Sequence, residues 1–147
     1  MIAKELQSYL NQQIPASESL QIGVNNCSRD KVELLVPLQP NINHKNTAFG
    51  GSISVAAILS AWSLIYLNIR DSKNEIVIQN SEMSYIQPIH SDFESVSIFC
   101  EPKQWERFHK SFNKKGKGRI TVSSKIYCNG CLAAKFSGTF VAFNKQF

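Results

Sequence analysis

The segment from Ile53 to Ile69 is nearly all apolar and carries no charge, and it limits what the chain can become more than any other feature. A membrane-spanning helix needs about 20 such residues. This run falls just short of that and is diluted by Ser54, Ser60, Ser63 and Asn68. A helix that is apolar on every side has no face to offer water, so in a globular chain it must be wrapped by other elements. The remaining sequence offers mainly strands as the wrapping. The expected class is therefore α+β: a curved antiparallel β-sheet around one long central helix at about residues 51–69.

The punctuation of the chain fills in the rest. Ile2, Leu6, Tyr9 and Leu10 share one helical face, which predicts an N-terminal helix at about residues 2–14, with Pro15 ending it. Leu20 to Cys27 and Lys31 to Pro37 read as strands joined by the polar turn Ser28-Arg29-Asp30. Leu38 to Phe49 is a loop, and Gly50-Gly51-Ser52 opens the long helix. Arg70 suits the negative pole at its end. After a turn at Asp71-Ser72-Lys73-Asn74, strands are expected at Glu75 to Ile86, Phe93 to Cys100, Arg119 to Cys128 and Cys131 to Phe143. Asn129-Gly130 is a strong two-residue hairpin signal between the last two. The basic stretch Lys103 to Lys117 allows a short helix around Trp105 to Phe112.

With 147 residues, 43% hydrophobic and 18% charged, the chain reads as a single globular domain, residues 1–147, without linker or repeat. The net charge of +5 admits an anionic ligand without demanding nucleic acid. No apolar leader precedes the first helix, so a cytoplasmic location with Cys27, Cys100, Cys128 and Cys131 reduced is the expectation. Cys128-Asn129-Gly130-Cys131 has CxxC spacing but no second ligand pair for zinc, and it falls on a hairpin tip, so no metal is expected.

The order of elements, with Gly-Gly at the head of the central helix, resembles the hotdog fold. Asn43-His44-Lys45-Asn46-Thr47-Ala48-Phe49-Gly50-Gly51-Ser52 is similar to the hotdog thioesterase signature. Pro37-Leu38, Pro40-Asn41, Trp62, Tyr85 with Pro88, and Gly138 to Ala142 resemble more narrowly a thioesterase family whose members also occur fused behind an acetyltransferase domain. The similarity runs from about residue 15 to 143. It implies an acyl-thioester hydrolase acting on an acyl-coenzyme A or an acyl carrier protein, with no cofactor beyond the coenzyme A moiety of the substrate. It also implies a homodimer or homotetramer. The alternative is a non-catalytic module that binds acyl thioesters. A hotdog dehydratase is a third option, but it would want an acid on the central helix.

The chemistry has a physical basis. Thioester hydrolysis develops negative charge on the carbonyl oxygen, and a helix start presents free N–H groups and a positive pole. By resemblance the Gly51 N–H is the oxyanion donor and Asn43 holds water or substrate. Gly50, Ser52 and Phe49 are then expected to line the substrate site. Asn43 can equally be a turn residue, and the glycines a tight turn. Many relatives carry Asp or Glu seven positions after the second glycine. Here that position is Ile58, and no acid occurs between Glu33 and Asp71. His44, Ser60 and Glu82 are candidate substitutes for the missing base, with Asp92 behind them. Lys110, Lys114, Lys115, Lys117 and Arg119 belong to a basic stretch in which Glu106 is the only acid from Lys103 to Arg119. They are candidates to contact coenzyme A phosphates or the acidic face of a carrier protein, or simply a solvated surface. Neither nucleic acid nor membrane is an expected partner.

Overall fold

The computed structural model describes residues 1–70, 73–99 and 101–144. The predicted turn residues Asp71 and Ser72, and Cys100 at the predicted end of a strand, lie outside the described residues. Helices α1 (Ala3–Gln13) and α2 (Pro15–Ser19) lead into strands β1 (Gly23–Cys27) and β2 (Lys31–Val36). A short 3-10 turn, Gln39–Asn41, precedes the central helix α3 (Gly50–Ile69). Then come β3 (Asn74–Tyr85), β4 (Phe93–Ile98), helix α4 (Pro102–Lys115), β5 (Lys117–Cys128) and β6 (Cys131–Asn144).

The six strands form one antiparallel sheet in the order β1-β2-β4-β5-β6-β3. Twelve of the α3 residues are buried, including Ala56, Ala57, Leu64 and Ile65, which have no exposure at all. α3 is long and apolar enough to cross a bilayer, yet most of its apolar residues are buried in one core with Val32, Leu34, Phe93, Ile120, Ile126, Phe136 and Phe140 of the sheet. A curved antiparallel sheet around one long helix is the hotdog arrangement, as expected.

β5 shows the cause most plainly. Its even-numbered residues from Gly118 to Cys128 are buried and Lys117, Arg119, Thr121, Ser123 and Lys125 are exposed, the period-2 pattern of a sheet with one wet face. Asn129 and Gly130 both take positive φ, 51° and 78°, which is what a two-residue turn between right-twisted strands requires.

Three expectations need correction. Pro15 does not simply stop the first helix; it opens α2, because its fixed φ and missing N–H suit a first helical position. That displaces the first strand, which starts at Gly23 instead of Leu20. The basic stretch is no loop with a short helix: α4 has 14 residues and buries Trp105 and Phe108. Phe108 lies on β5 where Gly118 leaves room, since a Cβ there would stand 2.9 Å from Phe108 Cδ1.

Candidate active site

α3 begins without a side-chain cap, with Phe49 as its N-cap residue. The first helical hydrogen bond runs from the Ile53 N–H to the Phe49 C=O at 3.1 Å. The N–H groups of Gly51 and Ser52 precede it, and helix geometry leaves such groups without an intrahelical acceptor. Together with the positive end of the helix dipole they can receive developing negative charge. The Ser52 side chain is buried, so its backbone is what it can offer there.

Aromatic rings frame this helix start. Phe49 is 56% exposed and its ring covers Gly51: a Cβ on Gly51 would collide with Cε2 and lie 2.9 Å from Cζ. Tyr85, at the end of β3 and 54% exposed, lays its ring against Gly50 and donates its O–H to the Gly50 C=O at 2.9 Å.

The preceding loop is closed by its own side chains. Ile42 and Ala48 form an isolated bridge. Asn43 Oδ1 accepts from the N–H groups of Lys45 (2.9 Å) and Thr47 (3.2 Å), and its Nδ2 donates to Thr47 Oγ1 (2.9 Å). Both polar atoms of Asn43 are thus engaged within the loop. Deeper in, Asn41 is buried and its Nδ2 donates to the C=O groups of Leu20 (2.9 Å) and Pro37 (2.8 Å). Its own C=O accepts from the Phe49 N–H at 2.7 Å, while its Oδ1 is buried without a partner. Asn41 and Tyr85 build the helix start, and only the resemblance singles them out in the sequence.

The other candidates do not gather here. His44 is exposed on the loop next to Asn43. Ser60 has no exposure: its Oγ lies 2.7 Å from Ser95 Oγ and 3.0 Å from Ser124 Oγ, inside the core. Glu82 pairs with Ser137 on the exposed outer face of the sheet, because Met83 takes the inward side opposite buried Phe136. Asp92 accepts from the Leu38 N–H at 2.7 Å. Ile58 is half-buried on α3.

The exposed cations lie at the opposite end. Lys110, Lys114 and Lys115 are on α4, and Lys117 and Arg119 start β5. Arg29 marks that end: its C=O accepts from Asn68 Nδ2 near the close of α3 at 2.9 Å, and its charge acts on His109 of α4. Burial, and secondarily Arg29, hold the His109 imidazole below its usual pKa. A helix of 20 residues spans about 30 Å, so one copy does not bring these cations to its own Gly51.

Residues 3–144 match the family described as "Putative thioesterase (yiiD_Cterm)". Among solved structures, a protein of unknown function from Chlorobaculum tepidum TLS superposes with a TM-score of 0.89 at 27% identity, over 97% of this chain and 94% of its own. A "putative thioesterase" from Shewanella oneidensis gives 0.80 at 26% identity, over 96% of both chains. A thioesterase from Haemophilus influenzae shares the fold, with a TM-score of 0.77 at 12% identity over 100% of this chain and 94% of its own.

Proposed function

Because the chain belongs to the thioesterase family matched over residues 3–144, we propose that it hydrolyses acyl thioesters of coenzyme A or of an acyl carrier protein, using the start of α3 as the oxyanion hole. The observation that carries this is the uncapped helix start, where the Gly51 N–H lies ahead of the first helical hydrogen bond and the N-cap residue makes no side-chain capping bond. Water adds to the thioester carbon and gives up a proton to solvent, the Gly51 N–H donates to the oxygen as it becomes anionic, and collapse of the adduct breaks the C–S bond, expelling a thiolate that takes up a proton and leaving the carboxylic acid. A preorganised donor of this kind contributes on the order of 3 kcal/mol to the barrier.

Asn43 serves in this reading by shaping the loop that delivers water and substrate, in keeping with its bonds to Lys45 and Thr47. His44 is the candidate base that lies on that loop, and it is exposed to solvent. Ile58 in place of an acid favours the second reading, a module that binds acyl thioesters without turning them over.

The working unit in this proposal is a homodimer, or a tetramer built from it. β3 is an edge strand of 12 residues with Val77 and Ile78 exposed, the kind of edge that a second copy pairs with and covers. Antiparallel pairing of β3 with itself would set the end of the sheet bearing Lys117 and Arg119 beside the partner's α3 start. There, with Lys110, Lys114 and Lys115, they would meet coenzyme A phosphates or the acidic face of a carrier.

Free-thiol release from a panel of acyl-coenzyme A and acyl carrier protein thioesters, with wild type and Asn43→Ala side by side, tests the proposal. Turnover that falls at least tenfold in a folded variant supports it. Binding of the same thioesters with no release from any of them moves the assignment to the binding module.

A further inference from the structure

The last two strands place two cysteines face to face. Cys128 ends β5, Cys131 begins β6, and the register sets them directly opposite each other across the Asn129-Gly130 turn. Opposed residues of an antiparallel pair point to the same side of the sheet, with Cβ atoms about 4.5–5.5 Å apart. A disulfide takes Cβ atoms about 3.5–4.5 Å apart, so an approach of about 1 Å joins the two sulfurs. The turn end of this hairpin can give that much. Asn129, Gly130 and Cys131 are exposed, and a Cβ on Gly130 would meet nothing within 4 Å. Cys27, the other described cysteine, is on β1, three strands away from β5 in the sheet.

The pair is unequal. Cys131 is exposed, whereas Cys128 is buried and lies against the segment before β4, with its Sγ 3.1 Å from Ser91 Oγ. That segment holds both ends of the loop that leads to α3. Asp92 Oδ1 accepts from the Leu38 N–H at 2.7 Å, and the Ile89 C=O accepts from the Ala48 N–H at 2.9 Å. β5 lies between β4 and β6, and Glu94 of β4 pairs with Tyr127. Ser91 and Asp92 therefore stand on the β4 side of Cys128, and Cys131 stands on the β6 side. A bond to Cys131 turns the Cys128 sulfur away from Ser91.

We propose that Cys128 and Cys131 close to a reversible disulfide when a peroxide reaches them, and that closing it frees residues 89–92 and with them the loop of residues 38–49. The Cys131 thiolate attacks one peroxide oxygen and the O–O bond breaks. The departing hydroxide takes up the proton that the thiol gave up and leaves as water. The Cys128 sulfur then attacks the sulfur of the Cys131 sulfenic acid, and the Cys128 proton leaves with the hydroxyl as a second water. Two thiols lose two electrons in all, and the peroxide is reduced to two waters. A dithiol reverses the step by thiol–disulfide exchange. In a reducing compartment the pair rests as thiols and closes transiently, as redox-sensing disulfides do. Only the effect on thioester turnover rests on the hydrolase reading; the disulfide and the loosened loop do not.

The test treats the full chain with hydrogen peroxide, blocks the remaining thiols with iodoacetamide and digests with trypsin. Cleavage after Lys125 and Lys135 releases residues 126–135, which hold both cysteines and no other. The expected product is that peptide unalkylated and lighter by two hydrogens, and dithiothreitol before the block restores the dialkylated form. In Cys131→Ser, a change at an exposed position, the peptide keeps an alkylatable Cys128. Hydrogen exchange over residues 38–49 is expected to quicken about threefold or more in the closed protein, with no change in peroxide-treated Cys131→Ser. Thiol release from acyl thioesters is expected to slow about threefold or more in the closed protein and to return with dithiothreitol. Two separately oxidised cysteines, or a fully alkylated peptide from protein in which Cys27 has been oxidised, overturns the disulfide. Unchanged exchange in the closed protein, or unchanged turnover by an active one, overturns the switch. Quickened exchange with no thiol release from either form removes the hydrolase reading and leaves the switch standing.

Discussion

Replacing Ser60 by alanine separates a structural serine from a catalytic one. Ser60, Ser95 and Ser124 are buried in the core and form a chain of hydroxyls. Ser95 and Ser60 are 2.7 Å apart, Ser60 and Ser124 are 3.0 Å apart, and Ser124 Oγ donates to the Ala57 C=O at 2.8 Å. Reading the protons from Ser95 to Ser60 to Ser124 to the carbonyl uses each once. Ser60→Ala removes the middle link. Ser124 keeps its bond to Ala57, but the Ser95 hydroxyl is left buried with no acceptor, which costs about 1–3 kcal/mol. The expected loss is about 2 kcal/mol, or roughly 6 °C in Tm for a chain of this size. Urea unfolding at fixed protein concentration measures it, with an unchanged m-value as the check that the same surface unfolds. Adding Ser95→Ala to Ser60→Ala then costs less than Ser95→Ala alone, by about 1 kcal/mol, because the orphaned hydroxyl is gone. Thiol release per folded molecule stays within twofold of wild type. Additive losses would refute the hydroxyl chain, and a variant of wild-type stability with no turnover would make Ser60 a reacting group after all.

Gly51→Pro deletes the proposed oxyanion donor while keeping a residue that the first helical turn tolerates. Its kcat should fall about 100-fold or more with the circular dichroism unchanged. Gly51→Ala, which displaces the exposed Phe49 ring in the same way but keeps the N–H, should lose far less; equal losses would remove the donor from the mechanism. His109 has a folded-state pKa held below its ordinary value by burial and by Arg29. Its contribution to stability is therefore complete above the unfolded pKa of about 6.5 and is lost as pH falls through the lower folded value. His109→Gln should flatten the stability profile between pH 7 and 5, and an unchanged slope there would assign the acid sensitivity to other groups.

Much of the fold was legible because its signals are local. The uncharged run of α3 demands a wrapper, the alternation in β5 is strict, and Asn129-Gly130 takes the positive φ values its sequence requires. Pro15 misled because proline ends one helix and starts another with equal ease. α4 runs longer than its sequence suggests because its lysines obscure a sound apolar stripe, Trp105, Phe108 and Phe112, spaced three and four apart. In the candidate site, the motif points to the loop and to Gly51, but not to their partners. Tyr85 reaches Gly50 across 35 residues of sequence, a contact that only the pairing of β3 with β6 creates. The face taken by Glu82 depends on the register shift between Ile78 and Asn80, where one extra residue reverses the alternation; no propensity announces it.

The strand order β1-β2-β4-β5-β6-β3 has a bearing on how the molecule is made. β3 follows α3 directly in sequence, yet its hydrogen-bonding neighbour is β6, the last of the described strands in chain order. A ribosome adding roughly 5–20 residues per second takes several seconds to go from Ile69 to Asn144. Early in that interval the most apolar helix of the chain has β1 and β2 beside it; β4 joins β2 once Ile98 is made, but the β5-β6-β3 half of the sheet cannot close until the interval ends. Native closure of the sheet is therefore a late event, with contacts of long sequence separation that favour slow folding. The nascent chain is the state in which aggregation threatens most, and a trigger-factor-type holdase that shields α3 would be expected to raise the yield of folded protein more than any stabilising change in the finished core.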